Sequence, residues 1–566
     1  MKRKMLLVAL ALVCALTCAF GLVACDNGNN DNGGTGNNGS NGGDNKPSHT
    51  HTYSTTWARN ETHHWHNCTI TGCEEKGGYA EHDFTNGDCG VCGKKPATKE
   101  LKYTLNDDGK SYTVTGISQY VADIVIAAEY NGKPVTSIGS KAFFYCSSLK
   151  SVYIPDSVTS IGSEAFSGCS ALKSITIPDG VTTIGSSAFS GCSALISITI
   201  PGSVTAIGDY AFRNCSVLKS ITIPDSVTTI GDSAFQNCSA LKSITIPDSV
   251  TTIETYAFFG CIALTSITIP DSVTTIGSSA FQNCESLESV IIGNGVKSIG
   301  SSAFFDCSAL KSITIPGSVV SIDSSAFRDC ISLKSVIIGN GVKSIGSEAF
   351  YNCSALTTIT IPDSVTTIGS SAFNNCVALI NVTIGNGVTT IGDSAFSHCS
   401  NLESVTIGNG VTTIGNSAFY YCSNLENVTI GNGVKSIGDS AFRDCRSLES
   451  ITIPDGVTTI GNSAFYYCSN LESVTIDNGV TTIGDSAFSH CSSLTSITIP
   501  DSVTSIGKGA FQYCSALTSV TFTNTSGWWV STSSTATSGT NVDVTDISQN
   551  VTYLTSTYQS YYWKRG

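Results

Sequence analysis

The sequence predicts a mainly β fold with short helical turns, a solenoid written in 23-residue units. Three observations predict it. A cysteine recurs every 23 residues from Cys146 to Cys514, seventeen in all. Within each unit, apolar and hydroxyl side chains alternate with the two-residue period of a strand that buries one face. The composition suits a turn-rich chain, with 54 Gly and only 2 Met in 566 residues.

Residues 169–191, CSALKSITIPDGVTTIGSSAFSG, are a representative unit. Ser174 and Thr176 alternate with Leu172, Ile175 and Ile177, which predicts a strand. Val181, Ile184, Ala188, Phe189 and Cys192 complete the inward set. Pro178 follows the strand and must lie outside the ladder, because it has no N–H to give. Several later units carry Gly there, as in Gly385-Asn386-Gly387, which permits positive φ at the same turn. Ser186, Asp232 and Asn416 stand where an N-cap would open one helical turn around the Ala-Phe pair. One unit cannot bury such a face alone, so stacking is obligatory and the ends need caps.

Self-similarity at this period with L-x-x-L-x-L character is the signature of leucine-rich repeats. The I-x-I-P and x-AF-x-x-C elements go further. Over about 101–523 the chain resembles the BspA-like (Treponema-type) leucine-rich repeat proteins of bacterial surfaces. The common leucine-rich consensus puts Asn or Cys after the strand. This chain has Pro or Gly there and places Cys before the next strand, so curvature is not carried over. The resemblance implies adhesion or ligand binding.

The amino end reads as an address. Lys2, Arg3 and Lys4 precede the apolar run Met5 to Phe20, which predicts a secretory signal over 1–24. Leu22-Val23-Ala24-Cys25 looks like a bacterial lipobox, with cleavage before a lipidated Cys25. The alternative is an ordinary signal peptide with an incidental Cys. Residues 25–47, the lipidated Cys and then almost only Asn, Gly and Asp, have nothing to bury and predict a disordered tether.

Residues 48–97 are rich in His and Cys. Cys68-x4-Cys73 and Cys89-x2-Cys92 have ribbon-like spacing for a structural zinc, with His64, His66 and His82 as alternative ligands. This predicts a small zinc-ribbon-like module ahead of the solenoid. Two disulfides, or merely solvated His, compete with the metal. Four thiolates would close the coordination sphere and leave no position for a catalytic water.

Residues 98–145 predict an N-terminal cap and a degenerate first repeat, with a hairpin signal at Asp108-Gly109. The solenoid proper occupies 146–523. Residues 524–566 break the period and are rich in aromatics, among them Trp528, Trp529 and Trp563. They read as a C-terminal cap or, alternatively, an aromatic binding patch.

Charged residues are 13% of the chain, against about 25% in ordinary domains, and the net charge is −14. That argues against a phosphate-neutralising surface and hence against nucleic acid. The residue after each strand-opening Leu varies in sign. It is Lys at Lys150, Lys173, Lys219, Lys242, Lys311 and Lys334, and Glu at Glu288, Glu403, Glu426, Glu449 and Glu472. The column is a candidate ligand-binding ridge for a polyionic or dipolar partner; tandem duplication with solvated charges is the plain alternative. A second variable site precedes Cys, with Phe144-Tyr145, Tyr420-Tyr421 and Tyr466-Tyr467 as aromatic pairs. These bind sugars or proteins, or else cover the solenoid edge.

The repeat Cys read as a buried apolar ladder. His398 and His490 adjoin Cys399 and Cys491, but a nucleophilic dyad needs an accessible thiolate. No catalytic motif is present. The function expected is therefore a lipid-anchored surface protein that adheres to a surface, matrix or host protein or glycan. A structural, self-associating spacer is the alternative, and a metal-dependent enzyme the remote one. The sequence leaves the oligomeric state open.

Overall fold

The computed structural model describes residues 53–54, 58–59, 63–67, 76–81, 97–119 and 121–566. The larger of two compact units, 59–64 with 80–566, holds the solenoid. Nearer the amino end, Ala58–Arg59, His63–Asn67 and Lys76–Glu81 form a three-stranded sheet in that order.

The solenoid opens on an antiparallel hairpin, Leu101–Leu105 with Tyr112–Ile117. Its turn carries Gly109 at φ 63°. The Asp108 carboxylate accepts from the N–H groups of Lys110 and Ser111, which holds that carboxyl below its ordinary pKa. The second hairpin strand pairs in parallel with Lys133–Ile138, and that strand with Ser160–Ile161. From there each rung stacks in parallel on the one before.

A rung has three sides, and all three carry inter-rung hydrogen bonds. On the first, Ser174–Thr176 pairs with Ser197–Thr199 in the register Ile175↔Ile198. On the second, Thr183–Ile184 pairs with Ala206–Ile207. The third side is the Ala-Phe segment. The Phe166 N–H donates to Ala188 O at 2.8 Å, and Phe189 to Ala211 O at 2.8 Å. Between these bonds, Ala188 N–H reaches Gly185 O and Ser190 N–H reaches Ser187 O. The expected helical turn is thus a run of linked β-turns, with Ser187 and Gly191 at φ 57° and 73°. The reason is that alternate N–H groups leave the rung to pair with the next one, so an i→i−4 ladder cannot form.

The N-cap expectation changes with it. Asp209 Oδ1 accepts from the N–H of Asp232, Asp393 from Asn416, and Asn416 from Asp439. Each side chain caps its counterpart one rung on, not its own turn.

The interior is one continuous core. Leu172, Ile175, Ile177, Val181, Ile184, Ala188, Phe189 and Cys192 are all buried, and so are their counterparts along the stack, the half-buried Val428 excepted. The Phe rings form a column, with neighbouring centroids 5.1 Å apart at Phe143–Phe166 and 5.6 Å apart at Phe189–Phe212. The Cys column lies beside it. Cys192 Sγ donates to Phe166 O at 3.2 Å, one turn back along the column.

The corner after the strand uses its glycines for another purpose. Gly385 and Gly387 do not have positive φ. Gly387 is needed for close approach instead: a Cβ there would lie 1.8 Å from Asp363 O. Gly385 supplies what Pro cannot, an N–H that donates to Ile361 O at 2.9 Å. Gly293 and Gly339 donate in the same way to Ile269 and Ile315.

The last rung is closed by the chain's own end. Tyr562–Arg565 pairs antiparallel with Ser505–Ile506 and with Trp528–Ser531. Trp528 and Trp563 are buried near Phe522, so these two rings belong to the core and not to a binding patch. The helix Ile547–Thr552 starts at Asp546, whose carboxylate accepts from Ser548 and Gln549 N–H. Asn550, fully buried, donates to Val520 O and Val544 O.

Candidate binding surface

The interior is nearly invariant from rung to rung, so chemistry that differs must lie on the outside. Several outward columns differ from rung to rung, among them the following two.

The first is the Lys/Glu ridge. Lys173, Lys219, Lys242, Lys311, Lys334, Glu403, Glu426, Glu449 and Glu472 are all exposed. The parallel register sets each beside its counterpart. Lys242 N–H donates to Lys219 O, Lys334 to Lys311 O and Glu426 to Glu403 O. Where the sign changes between adjacent rungs, the side chains pair: Lys311 Nζ lies 2.6 Å from Glu288 Oε2. Such an exposed pair adds little stability. The ridge borders a sheet face made mostly of Ser and Thr side chains.

The second column sits just before each Cys, at a corner with positive φ throughout. Gly168, Gly191, Asn214 and Asn237 occupy it at φ 75°, 73°, 59° and 58°. Those residue types tolerate the left-handed region. Further on the same position holds His398, Tyr421, Tyr467, His490 and Tyr513, at φ between 61° and 63°. An L-residue of that bulk is at a disadvantage of about 1–2 kcal/mol there.

Side-chain stacking opposes that cost. The His490 ring stacks on Tyr467 at 4.1 Å and on Tyr513 at 4.4 Å. His398 stacks on Tyr421 at 5.5 Å. Between these groups, Arg446 lies over Tyr421 and Arg443 over Tyr466, at 5.6 and 4.7 Å. The buried Asp444 pairs with Arg446 at 2.9 Å, which raises the guanidinium pKa further. The result is a strip of rings and guanidinium groups crossing six rungs. Sequence reasoning found the Tyr pairs but not their continuity with His398, Arg443, Arg446 and His490. The signal for the two His was the 23-residue recurrence of the pre-Cys position; Arg443 and Arg446 stand two before and one after Cys445.

The remaining site residues divide by location. Cys25, Cys68, Cys73, Cys89, Cys92 and His82 lie outside the described residues. His64 and His66 lie on the strand His63–Asn67. Among the described residues, no group of three or more His, Cys, Asp and Glu side chains is placed to hold a metal ion.

The Cys column has no nucleophile to offer. Burial pushes the thiols up, Cys215 and Cys261 to about 12. Cys399 Sγ is turned inward to Phe373 O, whereas the His398 ring is held by Ser397 Oγ at 2.9 Å and by Tyr421. The two neighbours in sequence do not form a dyad.

A parallel-stacked, three-sided solenoid with an invariant core and variable outer columns defines a leucine-rich repeat scaffold, a fold that typically binds rather than catalyses. The model of the BspA type leucine rich repeat region matches residues 136–264, 228–357, 320–449 and 435–562. The chain belongs to that family. A leucine-rich repeat protein from Bacteroides ovatus is 30% identical, covering 76% of this chain and all of that one, with a TM-score of 0.57. The Treponema pallidum leucine-rich repeat protein is 32% identical over 34% of this chain and 91% of its own, with a TM-score of 0.33. A leucine-rich cell surface protein from Faecalibacterium prausnitzii is 27% identical, covering 76% of this chain and 95% of its own, with a TM-score of 0.29. No curated protein matches the chain.

Proposed function

We propose that this protein is an exported bacterial surface protein, lipid-anchored through Cys25, that binds a protein or glycan on a neighbouring surface through its outer columns. One observation carries the reading. Residues that vary in charge lie mostly in outward columns aligned rung by rung, over a core that varies only among apolar side chains. The ridge suits a partner with complementary charges. The His/Tyr/Arg strip suits a saccharide, whose C–H faces pack on aromatic rings and whose hydroxyls accept from Arg. The leader and lipobox supply the export and the anchor, and family membership supports the surface address. The spacing of Cys68, Cys73, Cys89 and Cys92 supports a structural zinc, which metal analysis of the purified chain would detect at one ion per chain.

The test is a binding screen of the full chain against matrix proteins, mucins and glycan arrays at low and high salt. Saturable binding that Tyr467→Ala or Lys219→Glu weakens supports the reading. Binding to none of them, at either salt concentration, contradicts it.

A further inference from the structure

The Lys/Glu ridge is self-complementary. Lys311 sits at its middle. Counting rungs outward from Lys311, Glu288 lies one rung toward the amino end and Lys334 one toward the carboxyl end. Four rungs out stand Lys219 and Glu403, six out Lys173 and Glu449, and seven out Lys150 and Glu472. Every one of these pairs is opposite in sign.

A second column marks the same centre independently. The outward position three residues after the ridge is Thr in almost every rung, as at Thr176, Thr268, Thr314 and Thr360. It is Ile at Ile291 and Ile337, which are 60% and 63% exposed. These two flank the Lys311–Thr314 rung, one rung on either side.

We propose that two copies of this chain associate face to face through the Ser/Thr sheet, with solenoid axes antiparallel, about a two-fold axis along the strand of Lys311 and Thr314. This rests on the ridge being a contact surface, as proposed above, and goes further by naming the partner. A two-fold axis parallel to the strands keeps each column facing itself and reverses the rung order. Glu288 then meets Lys334 of the second copy, and Ile291 meets Ile337. By symmetry each contact occurs twice. The small Ser and Thr side chains allow the two sheets to approach closely. Lys311 meets its own image on the axis, with its ammonium already engaged by Glu288. Lys242 and Glu426 face the uncharged Ile380 and Ile196. Moving the axis half a rung either way supplies only three opposite-charge pairs and separates Ile291 from Ile337.

Sedimentation velocity of the full mature chain, across concentration and at low and high salt, reads the association. The expected result is a monomer–dimer equilibrium that weakens with salt. Glu288→Lys alone and Lys334→Glu alone each weaken it by about tenfold or more. A mixture of the two variants restores a heterodimer, because one contact is then reversed on both sides and the other is the native Glu288–Lys334 pair, so both are complementary. That rescue cannot come from misfolded protein. Ile291→Asp removes association in every combination, with an unchanged melting temperature. A chain that stays monomeric throughout overturns the proposal, as does a dimer indifferent to these reversals or a mixture that stays monomeric. Ligand binding by a strictly monomeric chain overturns this inference and leaves the binding function standing. Dimerisation without any ligand does the reverse.

Discussion

The four rungs over 169–260 and the four over 399–490 have closely similar interiors, differing by Ile against Val, and different exteriors. Phe189 and Phe419, ten rungs apart, are equally buried, as are Cys192 and Cys422. Outside, Lys173, Lys219 and Lys242 give way to Glu403, Glu449 and Glu472 at the same positions. Gly191, Asn214, Asn237 and Gly260 give way to Tyr421, Asp444, Tyr467 and His490. Pro178 and Pro201 stand against Gly408 and Gly431, and Pro247 against Asp477. Stacking constrains what faces in, because each inward side chain must fit the rung above and the rung below. It leaves the outer columns free to differ, and there the two regions diverge.

The largest expected effect tests the shared interior. The ladder thiols stay protonated in the folded chain while they ionise near pH 9 once unfolded. Their folded pKa is raised, so the stability they carry is complete below pH 9 and is lost as pH climbs toward 12. Each such thiol removes about 1.4 kcal/mol per pH unit in that window. Alkaline titration under reducing conditions, followed by circular dichroism, should show both regions unfolding together between pH 9 and 12. Loss of one region alone would break the comparison.

Phe189→Ala and Phe419→Ala should each cost about 3–5 kcal/mol in urea unfolding. Unequal costs would show that the two interiors are not equivalent.

Gly387→Ser sharpens the contrast at the corner. Ser is native at the matching Ser203, where its hydroxyl donates to Val181 O. At Gly387 a Cβ would overlap Asp363 O, and a loss of about 1–3 kcal/mol is expected. An unchanged melting temperature would contradict the close-approach account.

Tyr467→Asn should change stability by less than about 1 kcal/mol, because relief of the left-handed backbone offsets the lost stacking on His490. Glycan binding, if it uses the strip, should fall while the melting temperature holds.

The rung was legible in the sequence because burial follows a strict period. Leu172, Ile175, Ile177, Val181, Ile184, Ala188 and Phe189 could be placed inward from spacing alone. The third side was not legible. Ala-Phe behind Ser186 has the local look of a capped helix, and only the next rung's carbonyls decide that its N–H groups point along the stack. The role of Gly387 was hidden for the same reason: the clash it avoids is with Asp363, one rung away. The ridge could be read as a column of charges, since one residue per unit suffices to see it. The His/Tyr/Arg strip could not. Tyr421 and His490 share the pre-Cys offset, but Arg446 stands one residue after its Cys, and only the stack brings these rings and guanidinium groups together.

The central claim is that the outer columns serve contact and the core serves stability. Lys219→Glu combined with Lys242→Glu tests it most directly, with unfolding free energy and ligand binding measured on the same protein. The account predicts stability unchanged within about 0.5 kcal/mol and loss of the salt-sensitive part of binding. A fall in stability that tracks the fall in binding, or binding that ignores both charge reversals, would contradict it.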